Sequence, residues 1–111
     1  MLAGVYDDVK LQLKKLGRMN SELKKLVDEC LRDLDQANNY EKLFMNTPKA
    51  LADTQNGIIQ NTRDIVKICV PRIKGTTIQL TTSDINEIKH KLDENDQLLN
   101  KFQALVKESI K

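Results

Sequence analysis

Tryptophan is absent from this 111-residue chain, and Tyr6, Tyr40, Phe44 and Phe102 are its whole aromatic complement. So few aromatics, beside many Leu, Ile and Lys, point away from a sheet-based core and towards helices packed along aliphatic seams. They also weigh against a deep small-molecule pocket, which aromatic and apolar side chains usually line. No apolar run approaches the 18 residues or so that would cross a bilayer. Asp7 and Asp8 stand where a secretion signal would carry basic residues, and Glu108 to Lys111 match no prenylation or retention signal. The expectation is an intracellular, cytoplasmic protein.

The four glycines, Gly4, Gly17, Gly57 and Gly75, are scattered singly, so no phosphate-cradling loop is present. There is one histidine, His90, and there are two cysteines, Cys30 and Cys69. Zinc would need carboxylate help with so few soft ligands. Glu87 and His90 form a single Glu-x-x-His, whereas a di-iron bundle needs two. His90 falls on an outer face beside Glu87 and Glu94, where solvation explains it. The cysteines fall on apolar faces; without a secretion signal, two reduced buried thiols are favoured over a bridge between helices. A nucleophile needs a base held against it, and His90 is remote from both thiols. Neither an enzyme nor a cofactor is expected.

What the chain does have is 40% hydrophobic and 31% charged residues with a net charge of +2. That balance suits an all-α protein, and 111 residues leave room for a single helical domain. Residues 2 to about 45 carry a heptad pattern. Leu2, Val9, Leu16, Leu23, Cys30, Ala37 and Phe44 share one position, and Tyr6, Leu13, Asn20, Val27, Leu34 and Glu41 the other. A second helix is expected over about 48–70, begun by Thr47 and Pro48 and stopped by Pro71. A connection over 71–82 could include extended chain. The third helix spans about 84–110, with Asp84 and Glu87 as a capping box.

The resulting expectation is a three-helix antiparallel bundle with an over-long, coiled-coil-like first helix, open to a bend near Gly17 or Asn38. Unbroken, that helix would reach roughly 65 Å, against roughly 35 to 40 Å for the others. Part of its seam would then face water, and another protein chain, in a homo- or hetero-oligomer, would cover it. The expected interface is Leu2, Tyr6, Val9, Leu13, Leu16, Asn20 and Leu23, with Asn20 fixing register. If the helix breaks at Gly17, the chain becomes a four-helix bundle that buries its own seam. The alternative partner is an anionic surface, lipid or polyanion, met by Lys10, Lys14, Arg18 and Lys25. Nucleic acid is disfavoured, since no aromatics interleave those cations.

Overall fold

Gly17 is where the long first helix ends. Glycine is a poor helix former, and here its missing side chain is also a packing feature: a Cβ would meet Val27 at 3.4 Å. The chain turns through Arg18 and Met19, and Asn20 adopts an extended conformation (φ −158°, ψ 122°) and caps a new helix. Its Oδ1 accepts from the amides of Glu22 and Leu23, both at 3.0 Å. The computed structural model describes residues 2–44 and 46–109, with side chains from Tyr6 onward. The expected helix ends at 45 and 110, and the Leu2 side chain, therefore lie outside the described residues.

Among the described residues, four helices replace the expected three: α1 (Leu2–Gly17), α2 (Ser21–Glu41), α3 (Lys49–Cys69) and α4 (Thr82–Ser109). The all-α class holds, and the break falls at Gly17 rather than Asn38, which lies within α2. Lys10 pairs with Asp35 while Gly17 meets Val27, so α1 and α2 run antiparallel. Lys91 pairs with Asp64 and Leu98 faces Gly57, so α3 and α4 do likewise. α1 and α4 each pack on both α2 and α3. The result is an elongated bundle, 49 × 24 × 18 Å.

Tyr6, Val9, Leu13, Leu16 and Leu23, expected to meet a partner, are buried in this chain's own core with Val27, Leu34, Ile58, Ile65 and Leu92. The physical reason is the turn. A short non-helical link returns α2 against α1, so both halves of the heptad line face one interior. Asn20 is not a seam residue at all but a helix cap. A smaller cluster of Leu51, Phe102 and Val106 closes the far end, where the rings of Tyr40 and Phe102 meet at a tilt of 54° with centroids 5.7 Å apart.

Two capping assignments move by a few residues. α3 begins at Lys49 with Pro48 at the cap and no side-chain cap bond, so Thr47 does not perform that role. The capping box of α4 is Thr81 with Asp84. The Asp84 amide donates to Thr81 Oγ1 at 3.1 Å and the Thr81 amide to Asp84 Oδ2 at 3.0 Å. Arg72 Nε also donates to Asp84 Oδ2 at 3.0 Å. Together the Thr81 amide and Arg72 hold this carboxyl below the usual carboxylate range.

Between α3 and α4 the chain makes a 3₁₀ turn (Val70–Arg72) around Pro71 and then a small hairpin, β1 (Ile73–Lys74) and β2 (Thr77–Ile78). Ile73 pairs with Ile78 and Lys74 with Thr77. Gly75 takes φ +63°, which an L side chain rarely adopts. The hairpin closes the end of the bundle. Ile78 donates its amide to the Met19 carbonyl at 3.2 Å and accepts from Asn20 Nδ2 at 2.9 Å.

Candidate interaction surface

The seam of α1 packs on α2 on one side and α3 on the other, and each junction leaves a hollow at the surface. On the α3 side, α1 contributes Gln12, Lys15 and Leu16, the turn after it Met19, α3 contributes Val66, the turn after that helix Val70, and the hairpin Ile73. They line a shallow, mainly apolar groove of about 250 Å³. Val70 projects at its rim, 51% exposed, and Leu11 stands one turn before Lys15 at 56%. Val70 is exposed because Pro71 ends the helix and carries the chain off the bundle before that face can be covered. On the α2 side, Lys14, Arg18 and Lys24 surround a smaller hollow of about 140 Å³ with Gly17, Val27, Asp28 and Leu31.

The expected basic stripe is only partly brought together. Lys14 and Arg18 share that second hollow, but Lys24 in the same hollow is paired with Asp28 at 3.4 Å. Lys10 is tied to Asp35, and Lys25 is exposed on α2. The field along this face is partly neutralised by the protein's own acids.

The remaining reactive groups are dispersed. His90 is exposed and its Nε2 lies 2.9 Å from Glu94 on the same helix. Cys30 and Cys69 are free and buried; burial pushes their thiols up to about 12 and about 11. The partner of Cys30 is the Thr62 hydroxyl at 3.6 Å, which also accepts from Asn95 Nδ2 at 3.4 Å. No cluster of three potential metal ligands occurs among the described residues. No described helix is long and apolar enough to cross a membrane.

One titratable pair stands apart. Asp33 on α2 is buried facing Asp96 on α4, with Glu29 and Arg32 beside it on its own helix. Burial first, then the hydrogen bond and charge of Asp96, push its carboxyl up to about 7. The acid form is therefore the one the fold accommodates. The stability that Asp33 contributes is complete below about pH 4 and is lost as pH rises towards 7. Asp33→Asn is expected to exceed the parent in stability by on the order of 1–3 kcal/mol at pH 8, with the difference closing near pH 4. Urea titrations of both proteins at the two pH values measure this; an equal difference at both would show that Asp33 is not protonated in the fold.

Of the groove residues, sequence patterning singled out Leu16 but not the rest. Met19, Val66 and Val70 lie off the main apolar lines, and such residues read as thickening of a stripe until the neighbour that fails to cover them is known. The one available signal was Val70 immediately before a helix-ending proline. The fold and its surface define an all-α bundle with a partly basic α1 face and an uncovered apolar groove. Compared with known proteins, the chain matches no family model, no curated protein and no solved structure.

Proposed function

We propose that this protein is a non-enzymatic helical interaction module that holds a segment of another protein in the groove between α1, α3 and the hairpin. The observation that carries the reading is the apolar groove formed by Leu16, Met19, Val66, Val70 and Ile73, which no described element of this chain covers and at whose rim Val70 stands 51% exposed. Grooves between packed helices accept amphipathic segments of partner chains. The buried, protonated thiols and the solvated histidine support a binding role over a catalytic one.

Selection from an unbiased library of helix-forming peptides displayed on phage tests the reading. The expected result is a set of mutually competing binders whose affinity falls at least tenfold on Val70→Glu, while the far-ultraviolet spectrum of the variant stays unchanged. A library that yields no binder, or binders indifferent to Val70→Glu, would overturn it.

A further inference from the structure

The charges around the groove are of one sign. Lys15 lines it from α1. On α3, Arg63 and Lys67 are exposed and lie three residues before Val66 and Val70 respectively, one helical turn away along the groove edge. None of these three forms an ion pair among the described residues. The nearby acids are engaged elsewhere: Asp64 faces α4 and pairs with Lys91, and Asp84 pairs with Arg72. Asp8, two turns before Lys15, is the one acid on the same line of α1.

We infer that the occupant of the groove is an acidic amphipathic helix of a different protein, with aliphatic anchors seated between α1 and α3 and carboxylates set against Lys15, Arg63 and Lys67. This rests on the groove being a protein-binding site. Parallel packing of α1 and α3 leaves a furrow between two helical ridges, the shape into which a third helix fits its own ridge. The lining from Gln12 to Met19 extends about 10 Å, enough for two turns of a bound helix. Three unpaired cations along the rim, Lys15, Arg63 and Lys67, raise the association rate and select acidic partners. An anionic bilayer would meet the same charges, but it needs apolar side chains that project. Here Leu16 is buried and Met19, Val66 and Ile73 are half-buried within the furrow, leaving only Val70 and Leu11 standing out.

Two synthetic helical peptides with one leucine face, one flanked by glutamate and the other by lysine, provide the test, read by fluorescence anisotropy on the full chain. The acidic peptide is expected to bind at least tenfold more tightly at low salt and to lose that margin at 0.5 M salt. Arg63→Glu with Lys67→Glu should abolish the preference, whereas Val70→Glu should abolish binding itself; all these positions are exposed, and circular dichroism checks the fold. Equal binding of both peptides, still lost on Val70→Glu, would overturn the acidic partner while leaving the groove as a protein site. Binding of neither peptide would overturn both. Binding of anionic vesicles in preference to the acidic peptide, abolished by the same charge reversals, would assign the surface to lipid and overturn the inference.

Discussion

Leu13→Asp is expected to unfold the protein at every concentration, with loss of the helical signal and of any cooperative thermal transition. Leu13 is 0% exposed and lies in the interior shared by α1 and α2. Removing a buried leucine side chain costs about 2–5 kcal/mol in lost transfer energy and cavity. The replacement adds a carboxyl with no partner in an apolar interior, at a further cost of several kcal/mol. The sum is comparable with the whole stability of a domain this size, about 5–15 kcal/mol. Val70→Asp, at an exposed position, is expected to change stability by only about 0.5 kcal/mol. If Leu13 belonged instead to an interface between chains, its replacement would yield a folded, dissociated protein. Circular dichroism melts of the two variants separate these outcomes.

Asn20→Ala is expected to lower stability by about 2 kcal/mol, because one side chain does two jobs. Its carbonyl oxygen caps α2 through the amides of Glu22 and Leu23, an interaction worth about 1 kcal/mol. Its amide nitrogen donates to the Ile78 carbonyl at 2.9 Å and so fastens the hairpin to the turn between α1 and α2, worth about another 1 kcal/mol. A fall in Tm on the order of 10 °C follows. Asn20→Asp keeps the cap and loses the donor, so it should fall between. Hydrogen exchange resolves the two roles: both variants should speed exchange at Ile78, and only the alanine should also speed it at Glu22 and Leu23.

The helical class, the ends of α3 and the start of α4 to within a few residues were legible from periodicity, Pro48, Pro71 and the threonine-rich link. The number of helices was not. Leu16 and Leu23 are seven residues apart on either side of the turn, and the turn is short enough that the heptad phase continues through it. Periodicity reports that a face is apolar, not what covers it. A folded-back pair and one long helix therefore read alike, with Gly17 the only local sign of the break. The same ambiguity hid Asn20, since asparagine suits both a polar seam position and a helix cap. The hairpin escaped because its register depends on Gly75 at positive φ and on anchoring to Met19 and Asn20, a contact across nearly sixty residues of chain. Tyr6, Val9, Leu13, Leu16 and Leu23 of the interface first expected on the seam of α1 are core, and the groove left at the surface lies beside them.

Sedimentation equilibrium of the full chain, with helix content followed over the same concentrations, tests the central claim most directly. A chain that shelters its own heptad line should sediment as one 12.7 kDa species from about 1 to 100 µM, a span of free energy covering roughly 3 kcal/mol, with constant helix content. A reversible dimer whose helix content rises with association would contradict it, because α1 would then need a second chain to complete its core.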